Sequence, residues 1–165
     1  MRYHALTVFA LLAVAACQSE PRRPAVSQTP SFYLSMASAD AIVDAAAARD
    51  MISVYRRNKG LGPLAIDSGL QEAAEAEARA MAAADRPSSA DAFKTRLADA
   101  GFRAPAANLS AGYHTVAEAF SGWRESAQHN QVLLDPRATR VGIATAYRPN
   151  SKYKVYWVLA VAADR

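Results

Sequence analysis

From position 141 onward the apolar residues follow a period of two. Val141, Ile143, Thr145 and Tyr147 alternate, and after Pro149, Asn150 and Ser151 so do Tyr153, Val155, Trp157, Leu159 and Val161. Strand side chains leave on opposite faces, so two such runs about a turn-forming tripeptide predict a β-hairpin. Its other face is apolar as well, through Tyr156, Val158 and Ala160. A hairpin that is apolar on both faces must be covered on both. The rest of the chain therefore has to supply covering elements from either side.

Helical patterns fill that need. Residues 39–59 form an alanine-rich run with Ile42, Val43, Ile52 and Tyr55, stopped by Gly60 with Pro63 shortly beyond, and predict a first helix. Asp67 or Ser68 caps a second, with Gln71 three residues after Ser68 as in a capping box. Leu70, Ala74, Ala78 and Met81 then form one narrow stripe whose alanines permit close packing. Ser88, three residues before Asp91, opens a short third helix with Phe93 and Leu97 facing inward and Gly101 at its end. Residues 108–113 read as a short strand or extended loop. Thr115 and Glu118 form another capping box, opening a fourth helix that carries Val116, Phe120 and Trp123. Helices first and an antiparallel hairpin last predict an α+β sandwich, with helices on both sides of a small antiparallel sheet. At 165 residues the chain suits one core, assigned to residues 39–165.

The first 17 residues, MRYHALTVFALLAVAAC, begin with basic Arg2, run apolar from Ala5 to Ala16 and reach the chain's single cysteine. Such a run is too short for a mature spanning helix, which needs roughly 20 apolar residues, so residues 1–16 are expected to be a signal peptide. Val14, Ala15, Ala16 and Cys17 resemble the bacterial lipobox, which implies a lipid on Cys17 and a membrane anchor rather than a membrane span. Gln18 is not the aspartate that often marks retention at the inner membrane. The expected location is therefore the bacterial envelope, at the outer membrane facing the periplasm. Residues 17–38, with Pro21, Pro24 and Pro30 among serines, compose a tether that cannot bury a core. Whether Phe32, Tyr33, Leu34 and Met36 dock on the domain is left open by the sequence.

The whole chain has 19 basic and 15 acidic side chains, and loss of the signal peptide removes only Arg2, leaving +3. Arg22 with Arg23, Arg56 with Arg57 and Lys152 with Lys154 are scattered pairs, too mild a balance for a nucleic-acid footprint, and no nucleic-acid partner is expected.

Candidate chemistry concentrates in residues 105–134, PAANLSAGYHTVAEAFSGWRESAQHNQVLL, which hold both histidines that survive processing. A helix over residues 116–127 would span roughly 18 Å and leave His114 and His129 near opposite ends. They should not share a metal, and no HExxH spacing appears. No GxSxG elbow or Gly-rich phosphate loop is present either. His129 is a candidate general base, its ordinary pKa of about 6.5 suiting neutral pH; the competing reading is a histidine near a helix C-terminus, satisfied by carbonyls or solvent. His114 reads as an exposed turn residue.

Four segments in order carry a family resemblance: ISVYRRNKGLGPLAIDSGLQEAAEAEARAMA, AANLSAGY, GWRESAQHNQVLL, and the pair VGIATAY with YKVYWVLAV. Over roughly residues 50–162 the chain resembles the CAP superfamily of cysteine-rich secretory, antigen 5 and pathogenesis-related proteins, in its disulfide-free bacterial branch. The resemblance implies a three-layer α-β-α sandwich with a cleft of two histidines and one or two glutamates, able to hold a divalent metal in some members. Matched residue by residue, His129 after Ser126 is retained and so is Asn108. The motif glutamate falls on Ala107, the first histidine near Ser89, and a second glutamate on Ser126, beside Glu125. The implied cleft residues are Ser89, Asn108, Tyr113, Ser126 and His129, and no metal or other cofactor is expected of so reduced a set. The implied function is a non-catalytic binding or interaction module for a lipid, a cell-wall fragment or a protein. The alternative is a hydrolase of envelope peptides or glycans, with His129 as base and Asn108 and Tyr113 shaping the cleft. The oligomeric state is not legible.

Overall fold

A computed structural model describes residues 29–164; the segment expected to be a signal peptide, Cys17 and the expected tether up to residue 28 lie outside the described residues. The chain first makes a 3-10 turn, Ser31–Tyr33. Met36 then donates its N–H to the His114 carbonyl (2.7 Å) and is buried, while Phe32 packs on the same core. The end of the proline-rich segment is thus docked on the domain.

Helix α1 spans Ala45–Arg57. It starts later than the predicted position 39, because Asp44 takes the cap and accepts from Ala47 N–H (2.9 Å). Helix α2, Ser68–Ala84, is capped by Asp67, which accepts from Leu70 N–H (2.9 Å). Gln71 does not complete a capping box. Its side chain crosses to the sheet, where Nε2 donates to the Ile143 carbonyl (2.9 Å) and Oε1 accepts from Ile143 N–H (3.1 Å). Helix α3, Ala90–Asp99, is capped by Ser89 instead of Ser88.

Four strands follow one another as β1 (Ala65–Ile66), β2 (Arg103–Ala111), β3 (Arg140–Tyr147) and β4 (Val155–Ala163), in the spatial order β1-β3-β4-β2. The predicted hairpin is β3–β4, with Val141 opposite Val161 and Ile143 opposite Leu159. β2 pairs antiparallel with β4. The sheet is mixed and not purely antiparallel, because the two-residue β1 runs parallel to β3; a strand that short shows no periodicity to detect. β2 also begins five residues before the predicted segment, despite Pro105. A proline is tolerated there because β2 is an edge strand, and the register shifts between Arg103 and Ala106.

Alternation along β4 divides the core in two. Val155, Trp157, Leu159 and Val161 face α1 and two further helices, α4 (Val116–Glu125) and α5 (Ala127–Leu133). Tyr156, Val158, Ala160 and Ala162 face α2 and α3. The result is a three-layer α-β-α sandwich whose central strand is buried on both sides, as its two apolar faces require. Helix α2 lies so close to β3 that a Cβ on Gly142 would run into the backbone of Leu70 and Gln71. The alanines of the α2 stripe are what allow that approach. Among the described residues no helix is long and apolar enough to cross a membrane.

Candidate functional site

The helix expected to run through residue 127 is interrupted. Thr115 caps α4 by accepting from Glu118 N–H (3.1 Å), and the Glu118 carboxylate accepts from His114 N–H (2.6 Å). At Ser126 the backbone turns extended (φ −87°, ψ 117°), so one residue ends α4 and caps α5, its hydroxyl accepting from His129 N–H (3.5 Å). His129 therefore stands in the first turn of a helix and not near a C-terminus. Burial holds its imidazole below the ordinary value of 6.5, since a half-buried cation loses hydration. Near pH 7 the ring is neutral.

Opposite α5 lies edge strand β2. Asn108, fully buried, donates from Nδ2 to the His129 carbonyl (2.9 Å), while its Oδ1 is buried without a hydrogen-bond partner. Trp123 Nε1 donates to Ser110 Oγ (3.1 Å) and meets Trp157 edge-to-face at 6.3 Å, fixing α4 on the same strand. Between β2, α5 and the start of α3 opens a cleft of about 560 Å³, a size typical of ligand sites. Ala106, Ala107, Asn108 and Leu109 line it from β2, Gln128, His129, Gln131 and Val132 from α5, and Asp91 and Lys94 from α3. Asp135 and Arg137 line it from the turn that follows α5.

The charged groups of the cleft are internally paired. Asp91 binds Lys94 (2.7 Å), whose hydrogen bond and charge hold the carboxyl below its ordinary range. Asp135 binds Arg137 (2.8 Å), and that bond likewise keeps its carboxyl low despite burial. Behind the cleft, Arg56 is buried, with the Asp135 carboxylate near enough to act on it electrostatically but not bonded to it. Its guanidinium donates to the carbonyls of Gly62 (2.9 Å), Leu133 (2.9 Å), Asp135 (3.0 Å) and Ala138 (2.9 Å), tying α1 to the segment that leaves α5.

Of the five residues proposed from the sequence, Asn108 and His129 meet in the cleft. Ser126 acts through the backbone, as the cap that turns α5. Ser89 is exposed and caps α3 at the rim, beside the lining residue Ser88. Tyr113 does not line the cleft; its ring lies against Gly122 on α4, and its carbonyl accepts from Trp157 Nε1 (2.8 Å). Gln128, Gln131, Lys94 and the Asp135–Arg137 pair were not anticipated, because a polar helix face and an Asp-Pro turn look like solvated surface in sequence. The free edge of β2 did carry a signal, the proline at 105.

A divalent metal does not fit these residues. Ala107 presents a methyl group where a carboxylate would be needed, Asp91 and Asp135 are engaged by cations, and no cluster of three or more His, Cys, Asp or Glu side chains exists among the described residues. His129 alone is too few ligands.

A second, more apolar groove of about 680 Å³ lies between the 3-10 turn, α1 and α4, lined by Phe32, Tyr33, Met51, Val54, Tyr55 and Phe120. Arg124 spans its rim, 5.8 Å from the Tyr55 ring centre and 5.4 Å from that of Phe120.

Several solved structures share this fold. A cysteine-rich secretory protein from Staphylococcus aureus superposes with a TM-score of 0.59 at 21% identity, over 72% of this chain and 38% of that one. An extracellular protein containing an SCP domain from Bacillus anthracis gives 0.60 at 19%, over 73% and 40%. An outer surface protein from Borrelia burgdorferi gives 0.61 at 15%, over 73% and 92%. The chain thus spans about two fifths of the first two proteins and nearly all of the third. No curated protein matches the sequence. The family model described as CAP, cysteine-rich secretory protein family, matches residues 49–161. That match covers both walls of the cleft, three whole strands and most of β4, and the chain belongs to the CAP family.

Proposed function

We propose that this protein is an envelope-anchored binding module, held to the membrane by a lipid on Cys17, whose cleft beside His129 takes an uncharged, polar ligand without turning it over. The observation that supports this reading is the composition of the cleft: amides from Gln128 and Gln131, a neutral imidazole, and two ion pairs that leave no free carboxylate. A general base works best when a third group orients it and a nucleophile lies within reach; no side-chain hydrogen bond orients the His129 ring among the described residues. Extracellular and outer-surface neighbours agree with an envelope location. The apolar groove beside Phe120 suits the lipid class of ligand, and the cleft suits the peptide and glycan classes.

A hydrolase is the second reading, favoured by the neutral state of His129 near pH 7. Calorimetric titration of the mature protein with soluble glycopeptide fragments of the cell wall, assayed in parallel for product, separates the two. Saturable binding without product is expected. Product formation that stops in His129→Ala would establish the hydrolase. Stoichiometric zinc lost in the same variant would refute a metal-free cleft, and failure of Cys17 to take up a fatty-acid probe would refute the anchor.

A further inference from the structure

Ala106, Ala107, Asn108 and Leu109 all line the cleft although they are consecutive in β2. Successive strand side chains leave on opposite faces, and here they do so: Asn108 reaches α5, while Ala107 and Leu109 pack with α2 and α3. One cavity can touch all four only by running along the edge of the strand. That edge is free, because β2 ends the sheet and pairs with β4 alone. Helices α3 and α5 rise on either side as walls.

The register shows which backbone groups face the cleft. Gly112 N–H donates to the Val155 carbonyl (2.9 Å), one step beyond the pair Ala111–Tyr156. Bonded and non-bonded pairs alternate in an antiparallel ladder, so Ser110 and Asn108 exchange hydrogen bonds with β4. The N–H and C=O groups of Ala107 and Leu109 point outward. Beyond the sheet, no backbone hydrogen bond among the described residues uses them.

We propose that the cleft binds an extended peptide segment of a partner polypeptide, paired as a fifth strand along Ala107 and Leu109. This rests on the binding reading of the same cleft and names its ligand. An extended peptide presents donors and acceptors at the spacing of the free edge. The small side chains of Ala106 and Ala107 admit a second backbone. Because Asp91–Lys94 and Asp135–Arg137 are already paired, recognition runs through the peptide backbone and favours uncharged side chains.

The test uses the isotope-labelled mature protein and a library of uncharged hexapeptides blocked at both ends. A selected peptide is expected to bind saturably and to slow hydrogen exchange at the Ala107 and Leu109 amides. N-methylation of the peptide amides that face β2 should weaken binding roughly tenfold or more, the order expected for lost hydrogen bonds, and methylation of the intervening amides should not. Ala107→Pro removes one outward N–H and spares the β4 ladder, as edge prolines do; it should cause the same loss at unchanged melting temperature. If that variant fails to fold, the methylated peptides still decide. Methylation without effect, or no peptide binding while glycan fragments bind, would overturn the strand pairing and leave the binding module standing. Peptide turnover that stops in His129→Ala would overturn the non-catalytic reading while supporting the pairing.

Discussion

The Asn108 amide and the His129 carbonyl, 2.9 Å apart, join the last strand of the sheet to the first turn of α5. This bond ties two elements that line the cleft to one another, and Asn108 is fully buried in making it. Replacing Asn108 with alanine leaves a void and removes the donor. A loss of about 2 kcal/mol in urea unfolding is expected, together with faster amide exchange through residues 127–133. A variant as stable as the wild type would show that the contact carries no load.

Both partners of that bond were legible as cleft residues before their contact was. The family resemblance named both, Asn108 as the retained asparagine of its motif and His129 as the histidine three residues after Ser126. Arg56 did not, since beside Arg57 it reads as one more solvated charge, yet it is buried and bonded to carbonyls, three of the four far along the chain. The hairpin was readable because period two persists over both strands. The break at Ser126 was not, because a serine inside an amphipathic helix has the same composition as a serine that ends one. β1 escaped for want of length, and its parallel pairing made the sheet mixed.

Arg56 bridges α1 to the segment that follows α5. Arg56→Met keeps the bulk and strands the carbonyls of Leu133, Asp135 and Ala138. Leaving several buried acceptors unpaired should cost about 3 kcal/mol or more. Arg56→Lys should recover only part of it, because an ammonium cannot reproduce the planar fork. Thermal unfolding of both variants checks the order.

Gly142 faces α2 where a methyl group would meet the backbone of Leu70 and Gln71. Gly142→Ala must push the helix off the sheet, and a destabilisation of about 3 kcal/mol or more is expected, at the upper end for overpacking. Chemical denaturation reads it directly. Gly62→Ala, where a Cβ meets nothing within 4 Å, is the control and should change little.

Acid should weaken the fold in two phases, an upper one set by His129 and a lower one set by carboxylates such as Asp67 and Asp135. The imidazole of His129 is held below 6.5 by burial, so as pH falls below 6.5 the unfolded chain takes up a proton that the native state resists. Stability then declines until the native pKa is reached. Asp67 is partly desolvated, which raises its pKa, but the Leu70 amide and the Arg140 guanidinium (2.7 Å) outweigh this and keep it below 3.8. Its contribution is complete above 3.8 and is lost as pH falls through the native value. NMR titration should place the His129 midpoint under 6.5, and His129→Gln should remove the upper phase of the stability profile while leaving the lower one.

Strand β4 is the last of the described elements and also the one at the centre, with β3 on one side, β2 on the other and helices over both faces. None of the earlier pieces can close a core without it, and their pairings span long loops that form slowly. A chain in which residues 155–163 have not yet joined the sheet therefore lacks its keystone. Assembly waits for that strand, and until it arrives both helical layers stay open to solvent.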